Sequence, residues 1–352
     1  MTIDRYSWRL VEPGTPLERI DGAGRDPEAG EVTIEVAGCG VCHTDLGFAD
    51  GQVATRTPLP LVLGHEIVGS VIEAGTGAEA WMGKDVLVPA VIPCGECDLC
   101  ASGRGNVCRT QKMPGNDLDG GFATHVTLPA VGLATVDSLP DGYELADIAV
   151  VADAVTTPLQ AVRRAGVTGG DVAVVIGTGG VGTYAVQVAA AAGATVIAVD
   201  VDDARLTPLL DHGAAATVNA GGLSPRQVRD AAREQARDLD APSTAWKIFE
   251  CSGTASGQET AFGMLGPAGT LAVIGFTMDK VSIRLSNLMA FDADAFGSWG
   301  CPPERYPEAV ELVASGHVDL LPFTRKVPMA EAEAALAAAR DGSDPRRSIL
   351  KP

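Results

Sequence analysis

The sequence has few aromatic and few basic side chains. Phe, Trp and Tyr make up 5% of the 352 residues, and 26 Lys and Arg stand against 45 Asp and Glu, a formal net charge of -19. This balance argues against a nucleic-acid partner, which would need clustered Lys and Arg. Long apolar runs are also lacking, because the stretch 184–199 is broken by Gln187, Gly193 and Thr195. With no basic segment followed by an apolar one at the amino terminus, we predict a cytoplasmic protein without a membrane partner.

Apolar residues are nevertheless plentiful, at 46% of the chain, enough to fill the cores of two domains. Short β-type runs over 31–36 and 85–88 predict a strand-rich first part. Alternating strands and helices follow, with parallel strands predicted over 172–176, 195–199, 246–250 and 270–274. The remaining predicted elements are helices over 304–314 and 331–339 and a strand over 347–350.

Four cysteines lie close together in the segment 94–108. Cys94, Cys97, Cys100 and Cys108 have the spacing C-x2-C-x2-C-x7-C, and four thiolates so spaced can hold one tetrahedral zinc ion. A disulfide framework or four unrelated core cysteines are the alternatives, but the run is rich in Gly, Asp, Glu and Asn, as a solvated metal loop is. Four thiolates leave no open coordination position, so this zinc is predicted to be structural.

A second candidate metal site lies upstream. Cys42 and His65 offer a thiolate and an imidazole, and a catalytic zinc takes three protein ligands and keeps one open position. Asp153 is a candidate third ligand, since it is a carboxylate in an apolar run and would be costly to bury unpaired. Each residue also has an ordinary explanation: a buried structural cysteine, a satisfied core histidine and an aspartate that caps a helix starting near Ala154.

The segment 172–182, VAVVIGTGGVG, predicts a strand, a tight turn and a helix. Glycines at this spacing let the backbone approach a pyrophosphate, which binds at the helix N-terminus. A second apolar strand follows and ends in Asp200, which can bind the adenosine ribose and would repel a 2′-phosphate, so NAD is favoured over NADP. The predicted cofactor contacts here are Gly177, Gly179, Gly180, Val181, Gly182 and Asp200.

These motifs, in this order, resemble the zinc-containing medium-chain alcohol dehydrogenases, and the resemblance covers essentially the whole chain. It implies an α/β fold with two domains and a zinc- and NAD-dependent oxidation of an alcohol. One domain, over 1–153 and 298–352, would be a GroES-like β-rich catalytic domain that carries two zinc ions. The other, over 154–297, would be a Rossmann NAD-binding domain with a doubly wound parallel sheet.

The resemblance also implies roles for single residues. Cys42, His65 and Asp153 would hold the catalytic zinc, with Asp153 where many relatives have a second cysteine. Glu66 would support these ligands or act as an exchangeable fourth one, and Asp45 would support them. Further implied roles are proton transfer from the alcohol by Thr44, pyrophosphate binding by His43 and Arg347, a nicotinamide contact by Thr157 and an adenosine-ribose contact by Arg205.

Two positions depart from the pattern of the relatives. Gly47 stands where several of them place a histidine that relays the proton to solvent, which puts that exit route in doubt. Ala90 stands where relatives that act on small alcohols often carry a bulky aromatic side chain. The smaller side chain predicts a wider slot beside the catalytic zinc, and hence a ring-sized or branched substrate.

Five segments are similar to the 6-hydroxycyclohex-1-ene-1-carbonyl-CoA dehydrogenases of anaerobic aromatic degradation: 1–8, 150–158, 246–254, 275–280 and 284–291. This similarity implies that a ring secondary alcohol in a coenzyme A thioester is oxidised to the ketone, 6-oxocyclohex-1-ene-1-carbonyl-CoA. In so acidic a chain, the anionic acyl-CoA substrate would need a local basic patch. Arg104, Arg109 and Lys112 are candidates for that patch, or are simply solvated loop charges.

Other functions are compatible with the same motifs. They are a general zinc alcohol dehydrogenase, a zinc hydratase acting on a conjugated dienoyl-CoA, a zinc-free reductase of the same fold and a non-catalytic NAD-binding protein. A homo-oligomer, either a dimer or a tetramer, is the expected assembly. The cysteines not assigned to zinc, Cys39, Cys251 and Cys301, are predicted to be buried thiols in a reducing compartment.

Overall fold

The computed structural model of the protein describes residues 5–22 and 24–352. Residues 1–4, with which the similar segment 1–8 and the predicted domain 1–153 begin, lie outside the described residues, as does Ala23. The chain divides into two compact units. The first comprises Met1–Thr156, Gly300–Ala314 and Leu320–Pro352, and the second comprises Thr157–Trp299 and Ser315–Asp319.

The described strands, in chain order, are β1 (Tyr6–Leu10), β2 (Glu18–Asp21), β3 (Glu31–Gly40), β4 (Leu61–Val62), β5 (Glu66–Ala74), β6 (Asp85–Leu87), β7 (His125–Pro129), β8 (Ala134–Thr135), β9 (Val172–Ile176), β10 (Thr195–Asp200), β11 (Ala214–Asn219), β12 (Lys247–Glu250), β13 (Thr270–Val273), β14 (Asp294–Gly297), β15 (Thr324–Pro328) and β16 (Arg347–Lys351). The α-helices are α1 (His43–Ala49), α2 (Asp98–Ala101), α3 (Thr156–Arg164), α4 (Gly182–Ala191), α5 (Asp203–Leu206), α6 (Pro225–Asp238), α7 (Ala255–Met264), α8 (Ser286–Phe291), α9 (Tyr306–Ala314) and α10 (Ala332–Asp341). Short 3-10 helices include Leu145–Ala152, Pro303–Arg305 and Met329–Glu331.

The first unit is built around a mostly antiparallel sheet in the order β15-β16-β3-β5-β6-β8, with β7 also paired to β3. Strand β3 alternates apolar residues such as Val32, Ile34 and Val36, which are buried on one side of the sheet. A smaller sheet has the order β2-β1-β4. Side chains from β3, β5 and β7 contribute to one apolar core, to which Leu336 of α10 also belongs.

The second unit has six parallel strands in the order β11-β10-β9-β12-β13-β14. Within this sheet, the chain runs from the central strand β9 outward to β10 and β11. It then returns to β12 on the other side of β9, so the strand order reverses between β9 and β12. A ligand site is expected outside the carboxyl ends of the strands at such a reversal. The predicted α/β fold class, a GroES-like β-rich domain with a Rossmann sheet, is confirmed.

Several strand, helix and domain boundaries in the structure differ from those predicted from the sequence. The strand predicted over 246–250 begins at Lys247, and the helix predicted over 304–314 begins as the 3-10 turn Pro303–Arg305 before α9. The structure divides the chain after Thr156 and Trp299 and groups Ser315–Asp319 with the second unit, whereas the predicted domains met at 153/154 and 297/298. Among the described residues, no single helix is long and apolar enough to cross a membrane. The bent pair Leu145–Ala152 and Thr156–Arg164 reaches that length and apolar composition only when its two helices are taken together.

Candidate active site

Strand pairing in the first unit places distant residues at one end of the large sheet. Strand β3 ends at Gly40, two residues before Cys42, and Gly40 pairs with Glu66, the first residue of β5. Strand β16 begins at Arg347 and pairs with β3 on the other side, with Ile349 opposite Gly40. The Val41 N–H donates to the Ser348 carbonyl, so the two chains stay together up to the residue beside Arg347. The sheet therefore gathers a thiol, a carboxylate and a guanidinium that are far apart in sequence.

Cys42, His65, Glu66 and Asp153 form one cluster, in which one ligand atom from each lies within 4.8 Å of the others. Asp153 Oδ2 lies 3.8 Å from Cys42 Sγ and 3.6 Å from His65 Nε2. Ordinary zinc–ligand lengths in a tetrahedral site require about 3.6 Å for the sulfur–oxygen pair and about 3.4 Å for the nitrogen–oxygen pair. The cluster therefore fits a zinc ion held by Cys42, His65 and Asp153.

The Asp45 carboxylate contacts the Cys42 backbone and the His65 ring. Its Oδ2 accepts a hydrogen bond of 2.9 Å from the Cys42 N–H, and its Oδ1 accepts one of 3.1 Å from the Gly64 N–H. The same Oδ1 lies 3.3 Å from His65 Nδ1, so Nε2 is the imidazole nitrogen turned toward Asp153. A carboxylate at Nδ1 sets the tautomer and ring orientation of a metal-binding histidine. The predicted supporting role of Asp45 is consistent with this geometry.

The anionic groups around His65 favour the binding of a cation at this site. Burial disfavours the charged imidazole, but the adjacent Asp45, Cys42 and Asp153 outweigh it and raise the pKa of His65 well above its ordinary value. A proton on His65 partly neutralises this cluster. A divalent cation would displace that proton and neutralise the cluster more fully.

Glu66 and Arg347 form a buried, bidentate ion pair. Arg347 Nε lies 2.9 Å from Glu66 Oε2, and Nη2 lies 2.6 Å from Oε1. Burial raises the pKa of Glu66 to about 7, although the Arg347 guanidinium acts to lower it. Gly40 makes room for this pair, because a Cβ at that position would lie 1.9 Å from Glu66 Oε2. Both predicted roles of Glu66 remain open, since its carboxylate belongs to the cluster and is also bound by Arg347.

Asp153 lies in the short connection between two helices. It ends the 3-10 helix Leu145–Ala152, whereas α3 begins at Thr156, two residues later than the predicted start near Ala154. Its side chain is 19% exposed and lies among the other cluster groups. The apolar neighbours Val151 and Ala152 are fully buried, as the sequence indicated. The ligand role and the helix-cap explanation of Asp153 both remain predictions, and its position in the cluster favours the ligand role.

The other residues predicted at this site lie on α1 or near it. Thr44 is partly exposed, with its hydroxyl 3.7 Å from Cys42 Sγ. His43, the first residue of α1, is exposed, and Gly47 lies on the same helix. Ala90 is buried between β6 and the cysteine-rich loop. The pyrophosphate, proton-transfer and substrate-slot roles of these residues remain predictions.

The four cysteines of 94–108 converge as one tetrahedral set. Their sulfur atoms are 3.5 Å apart for Cys97–Cys100 and Cys94–Cys108, 3.7 Å for Cys97–Cys108 and 3.9 Å for Cys94–Cys100. Zinc–sulfur bonds of about 2.3 Å in a tetrahedron require about 3.8 Å between sulfurs. Hydrogen bonding by Thr110 lowers the pKa of Cys108 to about 6, while burial and the adjacent thiols raise that of Cys100 to about 12. A bound cation is needed for all four thiolates to exist together.

The glycine-rich loop after β9 fits a dinucleotide. Gly177 has φ +83°, and a Cβ at Gly182 would lie 1.7 Å from the Gly177 carbonyl oxygen, so both positions require glycine. At Gly179 the nearest atom to such a Cβ would be Nη1 of Arg205 at 3.8 Å, so the loop is open there. Val181 precedes α4 and provides no side-chain cap, which leaves the helix N-terminus available to an anion. Gly180 lies within this loop.

Asp200 supports the same loop. Its Oδ2 accepts from the N–H and hydroxyl of Thr178, at 2.6 and 3.1 Å, and its Oδ1 accepts from the N–H groups of Val201 and Asp202, at 2.8 and 3.1 Å. The sequence did not predict this contact with Thr178. The ribose contacts of Asp200 and Arg205 and the nicotinamide contact of Thr157, which lies on α3, remain predictions.

Sequence reasoning missed the pairing of Glu66 with Arg347, which lie 281 positions apart. It also missed Tyr306, whose hydroxyl contacts the backbone of Ala90 and Ala152. No local pattern marks either contact, because both depend on tertiary placement. Among the cysteines, Cys39 and Cys301 are buried as predicted, but Cys251 is only partly buried, since it follows β12 at the carboxyl edge of its sheet.

Comparison with known proteins agrees with these two sites. Residues 28–138 match the model of the alcohol dehydrogenase GroES-like domain, and residues 180–315 match that of the zinc-binding dehydrogenases. An alcohol dehydrogenase of Geobacillus stearothermophilus is 31% identical over 83% of this chain and 83% of its own length. The chain belongs to the zinc-dependent alcohol dehydrogenase family. The predicted family and enzyme class are thereby confirmed.

Two further members of the family are informative. The 2-dehydro-3-deoxy-L-galactonate 5-dehydrogenase of Pseudoalteromonas atlantica is 29% identical over 90% of each chain. The structure of acetophenone reductase from Geotrichum candidum in complex with NAD has a TM-score of 0.84 and 25% identity, covering 99% of this chain and 97% of the other. As a zinc-binding dehydrogenase, the chain has the cofactors predicted from sequence, with the four-cysteine cluster fitting a structural zinc and the Cys42 cluster a catalytic one.

Proposed function

We propose that this protein uses NAD to oxidise a secondary alcohol to a ketone at the zinc site formed by Cys42, His65 and Asp153. The observation that carries the proposal is the set of three ligand atoms within 4.8 Å of one another, in which the partly exposed Asp153 lies at near-tetrahedral separations from the other two. Three protein ligands leave a position for substrate, which a four-thiolate site does not. A zinc ion bound there supplies the Lewis acid that activates the alcohol.

The surrounding residues would prepare the site for this reaction. Asp45 holds the Cys42 backbone and the His65 ring, so that thiolate and imidazole keep their geometry when substrate enters. Arg347 neutralises Glu66 and thereby limits the negative charge beside the metal. The Thr44 hydroxyl, near Cys42 Sγ and partly exposed, would accept the proton of the substrate alcohol while donating its own to the nicotinamide ribose of NAD.

For the substrate we propose a ring alcohol carried as a coenzyme A thioester, 6-hydroxycyclohex-1-ene-1-carbonyl-CoA. Two observations support a large substrate: the five similar segments and the small side chain of Ala90. Arg104, Arg109 and Lys112 are exposed on or beside the structural cysteine loop and would contact the anionic carrier. The acetophenone reductase is a relative whose name indicates a ring-bearing ketone.

An acidic sugar alcohol is the second candidate substrate. The relative from Pseudoalteromonas atlantica is named for oxidation at carbon 5 of a galactonate derivative, and L-galactonate-5-dehydrogenase of Escherichia coli is 26% identical over 86% of each chain. Both names indicate a secondary hydroxyl in an anionic molecule. Such a substrate would use the same zinc and NAD sites but would not need the basic side chains of the cysteine loop.

The deciding experiment is NAD reduction, followed by the absorbance of the reduced cofactor, with the CoA ester, the free ring acid, L-galactonate and ethanol. The proposal expects the highest kcat/KM for the CoA ester. Arg109→Ser should then raise KM for the ester by about tenfold, on the scale of charge-assisted hydrogen bonds, but leave KM for the free acid unchanged. Arg56→Ser, which removes an exposed guanidinium paired with Asp117, is the control. A higher kcat/KM for L-galactonate than for the CoA ester would reject the CoA ester and favour the acidic sugar alcohol as the substrate.

We also propose that the chain forms a homo-oligomer through the second unit. Exposed apolar side chains are concentrated between 276 and 299, where Phe276, Met278, Leu285, Met289 and Trp299 are each more than half exposed. The same stretch includes β14, the end strand of the six-stranded sheet. An apolar patch beside an open strand edge is suited to a second copy of the same surface.

A further inference from the structure

Tyr306 makes two backbone hydrogen bonds inside the first unit. It is 1% exposed and begins α9. Its hydroxyl donates to the Ala152 carbonyl at 2.5 Å and accepts from the Ala90 N–H at 3.0 Å. The phenol therefore joins the residue before Asp153 to the loop that leads into the structural cysteine cluster. A buried tyrosine hydroxyl normally finds partners, but these two lie 154 and 216 positions away along the chain.

The backbone on either side of Asp153 is irregular. Asp153 has φ -135° and ψ -55°, between the 3-10 helix Leu145–Ala152 and α3, so neither helix sets the direction of its side chain. The Ala152 carbonyl accepts a second hydrogen bond, of 3.0 Å, from the Thr156 hydroxyl. Two hydroxyl groups thus hold the peptide that joins Ala152 to Asp153.

Asp153 differs from the other members of the cluster in where it lies along the chain. Cys42 and His65 are held by Asp45, and Glu66 by Arg347. Asp153 is the most exposed of the four and lies on no strand or helix. A ligand must be held within about half an ångström of its productive position for a metal site to keep its geometry.

We propose that Tyr306 is the positioning residue that sets Asp153 toward the catalytic metal and ties it to the wall formed at Ala90. The phenol fixes the peptide before Asp153 and the Ala90 amide at the same point, so a shift of one moves the other. Metal geometry and the width of the substrate slot are therefore coupled through one hydroxyl. This inference rests on the proposed function, because it takes Asp153 as a ligand and Ala90 as part of the slot.

The test is Tyr306→Phe, which keeps the ring and removes the hydroxyl. The catalytic zinc is replaced by cobalt, whose visible absorption reports ligand geometry, and the rate of metal loss to a chelator is measured. We expect a shifted cobalt spectrum, loss of the catalytic metal about tenfold faster and retention of the structural zinc. In steady-state assays kcat should fall, with a KM change confined to bulky alcohols.

Tyr143→Phe is the matched control. The Tyr143 hydroxyl also accepts a hydrogen bond from a backbone amide in the same unit, that of Leu320 at 2.9 Å, which is not part of the peptide joining Ala152 to Asp153. A folded Tyr306→Phe protein with the same cobalt spectrum and metal-loss rate as Tyr143→Phe overturns the proposal, even if both melt at lower temperature. Because the spectrum needs no substrate, a spectral change without any alcohol oxidation would reject the proposed function and leave the positioning role intact.

A second variant keeps the test decisive if Tyr306→Phe fails to fold. Thr156→Val removes the other hydroxyl bound to the Ala152 carbonyl and leaves the phenol in place. It should shift the cobalt spectrum in the same direction, but by less. An unchanged spectrum in a folded Thr156→Val protein would mean that the Ala152 peptide does not set the Asp153 carboxylate, which overturns the proposal.

Discussion

At the scale of single residues, the proposed zinc site depends on Asp153 as its third ligand. We predict that Asp153→Asn folds and keeps the structural zinc, but loses most of the catalytic zinc and lowers kcat at least about 100-fold. An asparagine has the same shape but is a neutral, weaker ligand. Zinc per chain and NAD reduction are the measurements. Asp153→Cys, which restores an anionic ligand, is the control and should hold two zinc ions. Full activity of Asp153→Asn with two zinc ions would leave the third ligand unidentified.

Gly40 lies against the buried Glu66–Arg347 ion pair, so a larger residue there should disrupt that pair. We predict that Gly40→Ala lowers the free energy of unfolding by about 3–5 kcal/mol, the usual loss when a buried ion pair is broken. The added Cβ would occupy the space of Glu66 Oε2. Urea unfolding is the measurement. At Gly47, on α1, a Cβ would meet only Val53 Cγ2 at 3.8 Å, so Gly47→Ala should be neutral or slightly stabilising. Equal unfolding curves for both variants would refute the steric explanation.

The residues with local signatures could be predicted from the sequence, and those without could not. Cys42 and His65 were found as isolated metal-ligand types on short motifs, and the four clustered cysteines by their spacing. Arg347 was predicted to contact pyrophosphate, but its pairing with Glu66 was not foreseen, because only the register of β16 and β5 on either side of β3 brings them together. Tyr306 was overlooked for the same reason.

At the scale of secondary structure, the four-cysteine loop depends on its metal. Helix α2 has only four residues, too few to be stable alone. We predict that Cys97→Ser loses the structural zinc and lowers the free energy of unfolding by several kcal/mol, since zinc binding supplies folding free energy. Below the melting transition, kcat should stay within about twofold of the unaltered enzyme. Thermal unfolding and zinc analysis test this, with Cys251→Ser as the control. Loss of turnover at unchanged stability would contradict a structural role.

Asp200, at the end of β10, is the residue predicted to favour NAD over NADP. We predict that Asp200→Ala weakens NAD binding and narrows the preference for NAD over NADP by about tenfold, because the carboxylate no longer repels a 2′-phosphate. The variant also frees Thr178, to which Asp200 is bound. Thr178→Val removes the hydroxyl contact alone and should weaken both cofactors equally. The kcat/KM values for NAD and NADP are compared, and equal use of both by the unaltered enzyme would reject the prediction.

The apolar periodicity of the sequence predicted where strands and helices lie more accurately than it predicted the residues at which they begin and end. The five residues predicted for β9 match Val172–Ile176, because a continuous run of Val and Ile in a parallel strand has a clear start and a glycine at its end. Helix α3 starts at Thr156, later than predicted, and the Thr156 hydroxyl donates back to the Ala152 carbonyl of the preceding 3-10 helix. Helix ends depend on such capping contacts, which the sequence pattern does not specify.

At the scale of the whole molecule, we predict that the protein is a homo-oligomer and that the double substitution Met278→Asp and Met289→Asp dissociates it. Both side chains are 78% exposed, and two added carboxylates would oppose each other across a symmetric interface. Light scattering gives the mass in solution. Met82→Asp is the control, because Met82 is 49% exposed but lies in the first unit. A monomeric unaltered protein would refute the prediction.

The two metal sites differ in the length of chain that each one spans, and this sets an order for their assembly during synthesis. All four cysteines of the structural site lie within 94–108, so that site is complete as soon as one short segment leaves the ribosome. The catalytic ligands extend from Cys42 to Asp153, and the guanidinium that neutralises Glu66 arrives only with Arg347. Until then the Glu66 carboxylate lacks the guanidinium that it pairs with in the folded chain. Zinc supply during translation should therefore fill the cysteine loop first, and the catalytic site only after β16 has joined β3.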